Sequence, residues 1–389
     1  MFASALTQTP KHLKTYTRLT LQYFDYKYTF PLESGEDLPG FRLAYTTYGS
    51  LNEQANVVWV CHALTGNADA GDWWGGMVGP GKYFDTRPDG PRTERSADAA
   101  PEQNFIVCAN VLGSCYGSTG PLSVNPETGE PYYHDFPVIT VRDMVGALDL
   151  LRQELGIQTI HTCIGGSLGG EQAIEWAIMQ PGLIENLVVI AASAVASPWC
   201  IAFNEAQRMA IEADPTWRER RNDAGAAGMK AARATAMISY RNYDTYGFTQ
   251  ALDNNEQTDG FKAAGYQRYQ GEKLAERFNA FTYWILSKVM DSHNVGRNRG
   301  SIPNALGRIK ARTLVVGIRS DLLFPPVEQQ FLARHIPEAS YEEIDSLYGH
   351  DGFLVEFRPL SGIIRKWMAE RSTTHTPRSG EPIKNTLQK

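Results

Sequence analysis

TIHTCIGGSLGGEQAIEWA, residues 159–177, joins two kinds of periodicity at a single serine. TIHTCI (159–164) is a short apolar, β-branched run, and GGEQAIEWAIMQP (169–181) has helical spacing with a proline stop. Between them stands Gly165-Gly166-Ser167-Leu168-Gly169, a G-x-S-x-G element in the strand–turn–helix setting that a nucleophile elbow requires. The glycines have a steric reason. A turn this tight brings neighbouring chain so close that side chains at the flanking positions would clash, and the serine is held in strained backbone. The helix N-terminus and the amide of Leu168 then face a developing oxyanion. A glycine-rich loop without chemistry would share the glycines. The strand before and the helix after favour the catalytic reading.

Outward from this element, unalternating apolar runs recur at VVWVCH (57–62), FIVCAN (105–110), LVVIAAS (187–193) and TLVVGI (313–318). Such runs suit strands buried on both faces of a parallel sheet. VRDMVGALDLLRQELG (141–156) supplies another helix, and Leu19 to about Leu51 alternates like an antiparallel β start. The fold class expected is α/β, with a mostly parallel central sheet flanked by helices. The strand rhythm breaks after Ser197 and resumes at Arg312, with helix formers and aromatics between. The expected organisation is a polar N-terminal segment (1–18), a core in two parts (19–197 and 304–372), a helical lid insertion (198–303) and a flexible tail (373–389).

A nucleophilic serine needs a base. In the α/β-hydrolase order the acid and then the histidine follow the serine, which excludes His12, His62, His134 and His161. TLVVGI runs into Asp321, and the apolar stretch YEEIDSLYG leads into His350, so each follows a strand signal in the required sequence. Sites in open α/β sheets gather at the carboxyl ends of strands. A turn carboxylate and a surface histidine are the bland readings; the ordered trio favours a Ser167–Asp321–His350 triad. His350 would accept the serine proton while Asp321 holds the imidazole tautomer. The second oxyanion donor is expected after VVWVCH, with the amide of Leu64 as candidate.

Composition narrows the remaining classes. The 389 residues suggest two or three domains, or one enlarged core, and 42% hydrophobic with 21% charged residues is ordinary globular content. A formal net charge of −6 gives no reason to expect nucleic acid or an anionic membrane as partner. Cys61, Cys108, Cys115, Cys163 and Cys200 are scattered and odd in number, which fits reduced thiols better than disulfides or zinc. The opening MFASALTQTPKHLKTYTR lacks a signal-like apolar run, and no stretch approaches the roughly 20 apolar residues of a membrane span, so a cytoplasmic protein is expected. Gly76–Lys82 matches half of a phosphate loop, but Tyr83 stands where the Ser/Thr belongs and Pro80 removes an amide. A nucleotide triphosphatase is rejected, and no metal site is expected for want of a ligand cluster.

Taken together, HALTGNA, DWWGGMVGPGKYFDT, NVLGSCYGSTGPLSVNP, DFPVITVRDMV, IGGSLGGEQAIEWA, IAFNEAQRMAI, YQGEKLAERF and SDLLFPP…YGHDGFLVEF resemble the homoserine O-acyltransferases of the α/β-hydrolase superfamily, of the homoserine O-acetyltransferase kind. The resemblance covers about residues 40–357. Leu168 departs from the family's more frequent Met, and Gly113-Ser114 from its frequent Gly-Gly. The resemblance implies an α/β-hydrolase fold whose inserted lid closes the site into a tunnel and helps form a homodimer. It implies acyl transfer from acetyl-CoA to L-homoserine in methionine biosynthesis, in two half-reactions and without a bound cofactor. Succinyl-CoA as donor or L-serine as acceptor remain variants. It further implies that Arg208 binds the α-carboxylate and Asp351 the ammonium of the amino acid. Trp73, Trp74, Tyr116, Tyr240 and Trp284 are read as packing. Two other classes stay open: a serine esterase or thioesterase with the same triad, and a non-catalytic binding protein on this fold.

Overall fold

A computed structural model describes residues 20–52, 55–87, 104–252 and 254–370. The N-terminal segment and the tail expected from 373 lie outside them.

Eight strands form the main sheet: β1 (Gln22–Tyr26), β2 (Phe41–Tyr48), β3 (Asn56–Cys61), β4 (Asn104–Ala109), β5 (Ile160–Gly166), β6 (Ile184–Ile190), β7 (Arg312–Ile318) and β8 (Ala339–Ile344). Their order is β1-β2-β4-β3-β5-β6-β7-β8. β1 and β2 pair antiparallel, β2 meets β4 antiparallel, and every later pairing is parallel. The sequence pattern follows from this placement. β4 is buried along its whole length, so it reads as continuous apolar sequence. β1 lies at an edge with alternate residues exposed, so it reads as alternation.

The sheet separates two apolar clusters. Trp59, Cys61, Val107 and Leu187 face one cluster, and Val58, Val60, Ile106 and Val188 face the other. On the first face lie α1 (Val141–Glu154) and α2 (Leu168–Met179), where Trp176 meets Trp59 edge-on at 4.9 Å. Thr140 starts α1 with a capping box: its hydroxyl accepts from the Asp143 amide while the Asp143 carboxylate accepts from the Thr140 amide.

Between β6 and β7 the chain is helical: α3 (Pro198–Glu212), α4 (Ala226–Tyr240), α5 (Tyr243–Thr249), α6 (Lys262–Ala275) and α7 (Ala280–Asp291). Ser197 caps α3 through the Cys200 amide, and Pro198 occupies the first turn, where its missing N–H costs nothing. The excursion leaves and returns through one narrow neck, where Ala196 N donates to His293 O and Val295 N to Ala194 O, both at 3.0 Å. This neck sets the return before residue 303, because it is made by backbone pairing that leaves no strand pattern in the sequence. α8 (Pro326–His335) and α9 (Phe357–Glu370) complete the core, with Leu360, Ile364 and Trp367 of α9 buried against the second face.

Candidate active site

Ser167 stands between β5 and α2 with φ 57° and ψ −131°, a backbone region that costs a non-glycine residue about 1–3 kcal/mol. Two hydrogen bonds hold it there, Ser167 N to Ile190 O at 3.0 Å and Glu171 N to Ser167 O at 3.1 Å. The flanking glycines are sterically required. A Cβ on Gly169 would lie 2.2 Å from Cys61 O, and one on Gly165 would lie 2.3 Å from the Gly169 carbonyl.

Asp321 follows β7 and His350 follows β8, both at the carboxyl edge where β5 delivers the serine. Asp321 Oδ1 accepts the amides of Leu323 (2.8 Å) and Phe324 (2.9 Å), which aims Oδ2 at His350 Nδ1 at 2.7 Å. With Nδ1–H donated to the carboxylate, Nε2 is left as the basic nitrogen. The elbow and this pair are close neighbours. Gly166 packs so tightly on Phe353 that a Cβ there would sit 2.6 Å from the ring, and the same ring meets His350 edge-on at 5.6 Å. Phe324 stacks on the imidazole at 5.3 Å and Tyr240 of α4 tilts against it at 5.8 Å.

Burial pulls the His350 pKa down, but the charge and hydrogen bond of Asp321, with a smaller contribution from Asp351, outweigh it and leave it above the ordinary value. The other described histidines that follow the serine bond backbone carbonyls in place of a carboxylate. Nε2 of His293 lies 3.1 Å from Ser193 O at the neck, and burial lowers its pKa to about 4. His335 pairs with Phe331 O within α8.

Leu168 opens α2, so its N–H belongs to the first-turn amides that have no partner inside the helix. Leu64 is buried in the turn after β3. That turn is pinned from the core by His62, whose Nδ1 bonds Ala63 O at 2.8 Å and whose Nε2 accepts the Val111 amide at 3.0 Å. Burial lowers the His62 pKa to about 4, so the ring is neutral and can do both.

Arg208 and Asp351 are placed differently. Arg208 is buried and each nitrogen of its guanidinium is engaged: Nε meets Glu205 at 2.9 Å, Nη1 meets Ser287 at 3.1 Å, and Nη2 meets Asp291 at 2.5 Å. It ties α3 to α7 inside the insertion. Asp351 adjoins His350 and pairs with Arg241 at 3.2 Å, while burial holds its pKa up against the pull of Arg241 and Arg233. Arg233 of α4 was not singled out in the sequence. Its Nε is buried without a hydrogen-bond partner, and its guanidinium carbon lies 5.3 Å from the centre of the Tyr240 ring that contacts His350. Tyr240 is therefore part of the wall of the site as well as packing. Helical spacing aligns Arg233 with Tyr240 two turns on, but spacing alone does not say which face of α4 meets the sheet. Among the described residues no group of three or more His, Cys, Asp or Glu has the arrangement of a metal site.

An oriented acid–base pair beside a strained serine is suited to acyl transfer. Residues 56–357 match the family described as alpha/beta hydrolase fold. A homoserine O-acetyltransferase of Cyclobacterium marinum is 48% identical over 91% of this chain and 97% of its own. The chain belongs to the homoserine O-acetyltransferase family. It is accordingly an acyltransferase of α/β-hydrolase fold. The crystal structure of the family member from Staphylococcus aureus superposes with a TM-score of 0.72 at 28% identity, covering 93% of this chain and 97% of that one. Esterase E22 superposes with a TM-score of 0.77 at 23% identity over 90% of this chain and all of its own, a likeness of fold alone.

Proposed function

We propose that the protein transfers an acetyl group from acetyl-CoA to the hydroxyl of L-homoserine through an acyl-Ser167 intermediate, as a cytoplasmic step of methionine biosynthesis. The 2.7 Å bond that orients His350 on Asp321 beside the strained serine carries the chemical part of this reading. The 48% identity over nearly the whole chain supports the choice of substrates.

Ser167 Oγ attacks the thioester carbonyl as His350 Nε2 takes its proton, and the amides of Leu64 and Leu168 receive the charge on the carbonyl oxygen. The tetrahedral adduct collapses, the C–S bond breaks, and His350 returns the proton to the departing thiolate. The homoserine hydroxyl then attacks the acyl-serine while His350 removes its proton, and Ser167 leaves reprotonated. Asp321 stabilises the imidazolium in both halves. Transfer in place of hydrolysis requires that water be kept from the acyl-serine, and the insertion α3–α7 is suited to cover the sheet edge.

For the acceptor, we assign the ammonium to Asp351 and the carboxylate to Arg233 in place of Arg208. Each nitrogen of the Arg208 guanidinium is already engaged by Glu205, Asp291 or Ser287, whereas Arg233 has an unmet buried donor beside Tyr240. A guanidinium facing a carboxylate makes strong charge-assisted hydrogen bonds. The test is thiol release from acetyl-CoA with and without homoserine. The expected result is release that depends on homoserine and matches O-acetylhomoserine formed. Equal release in both, with no ester product, would make the protein a thioesterase. Exchanging in succinyl-CoA or serine decides between the variants.

A further inference from the structure

The insertion reaches the turn that carries Leu64. Arg277, between α6 and α7, donates from Nη1 to Thr65 O at 2.8 Å and to the Tyr116 hydroxyl. Its own carbonyl accepts from Cys115 Sγ at 3.9 Å, and the next residue, Phe278, packs its ring 5.8 Å from that of Tyr116. One arginine thus joins the insertion, the turn after β3 and the loop after β4.

The rest of that turn is held from the core. His62 O accepts from Gln172 Nε2 of α2 at 3.1 Å, and Ala63 O accepts from Gly66 N at 2.8 Å as well as meeting the His62 ring. Ala63 O shares its peptide unit with the Leu64 N–H, so the bonds to it hold that amide directly. The Thr65–Gly66 unit presents its carbonyl to Arg277 and its N–H to Ala63 O, so the unit that carries the Leu64 amide is held by the core through His62 and by the insertion through Arg277 and Gly66. An oxyanion donor must be aimed before the reaction begins, because a misaimed amide regains its value only by reorganising during it.

We propose that Arg277 is a positioning residue through which the docked insertion sets the oxyanion hole. The hole is complete only while the α6–α7 junction is seated on Thr65 and Tyr116, so covering the acyl-serine and stabilising its formation are one event. This deepens the acyl-transfer reading and rests on Ser167 being acylated, but not on which thioester or acceptor is used.

The test uses p-nitrophenyl acetate, a small ester with no coenzyme moiety, alongside acetyl-CoA, with the full-length enzyme. Arg277→Met is expected to slow the acylation burst by about tenfold to a hundredfold with both donors, leaving the acetyl-CoA KM within about threefold. Arg277→Lys, which keeps a donor for Thr65 O, is expected to recover most of the rate. Tyr116→Phe, which frees the guanidinium without deleting it, is expected to give a smaller loss in the same direction at an unchanged melting temperature. It keeps the proposal testable should the methionine variant fail to fold. An unchanged ester burst with a raised acetyl-CoA KM would make Arg277 a donor contact and overturn the proposal, as would unchanged rates in all three variants. Failure of every variant and the parent to acylate homoserine, with the ester burst still dependent on Arg277, would count against the substrate assignment and leave this inference standing.

Discussion

Glu171, one turn beyond Ser167, is a carboxyl with no role in the proposed chemistry. It is buried, and Oε2 has no hydrogen-bond partner. Burial raises its pKa well above the ordinary value, and Asp291 adds to the rise. The sign follows by linkage. The native state keeps the proton, while the unfolded chain releases it above about pH 4.3, so stability falls from there until the native group also ionises. Glu171→Met, which removes the unmet group, is expected to stabilise the fold by about 1–3 kcal/mol, with the larger gain at pH 8 than at pH 4.5. Urea unfolding at the two pH values measures this; an equal gain at both would mean that Glu171 titrates in the native protein as it does in the unfolded chain.

Within the insertion, the helices separate two arginines that look alike in the sequence. Arg208 braces α3 against α7 through Asp291, and Arg233 faces Tyr240 from α4. Arg208→Met should cost about 3–5 kcal/mol, because it leaves Asp291 uncompensated in a half-buried site. Arg233→Met should leave the melting curve nearly unchanged and raise the homoserine KM by at least about tenfold while sparing the acylation burst. The reverse pattern would restore Arg208 as the clamp. The same comparison marks where the sequence stops being informative. Ser167, Asp321 and His350 are legible because each ends a strand run and the order is constrained. Core strands are legible because burial on both faces leaves unbroken apolar runs. Arg208 and Arg233 lie on amphipathic helices, where periodicity tells which residues share a face but not which face looks at the sheet. Arg277 is harder still, since its partner is a backbone carbonyl more than two hundred residues earlier.

Across the whole molecule, the described residues form one eight-stranded main sheet with a helical excursion that begins and ends at a two-bond neck. The excursion carries exposed apolar side chains: Ile238 (55% exposed), Tyr243 (89%), Phe248 (75%), Leu252 (58%) and Tyr269 (57%). These side chains are spread over α4, α5, the loop that follows and α6, and a surface that exposes several large apolar groups is a candidate association face. We propose that it pairs two copies of the chain. Light scattering after size exclusion is expected to give a dimer for the parent and a monomer for Phe248→Glu; a monomeric parent at micromolar concentration would remove this face from the account.

Acyl transfer through Ser167 requires a covalent acetyl-enzyme between the two half-reactions. The most direct measurement is the intact mass of the enzyme after acetyl-CoA is added without acceptor, followed by peptide mapping and then by addition of L-homoserine. The expected result is a gain of one acetyl group on the peptide containing Ser167, absent in Ser167→Ala, and its discharge to O-acetylhomoserine faster than to water. No acetylated peptide, or an acetyl group that only water removes, would contradict it.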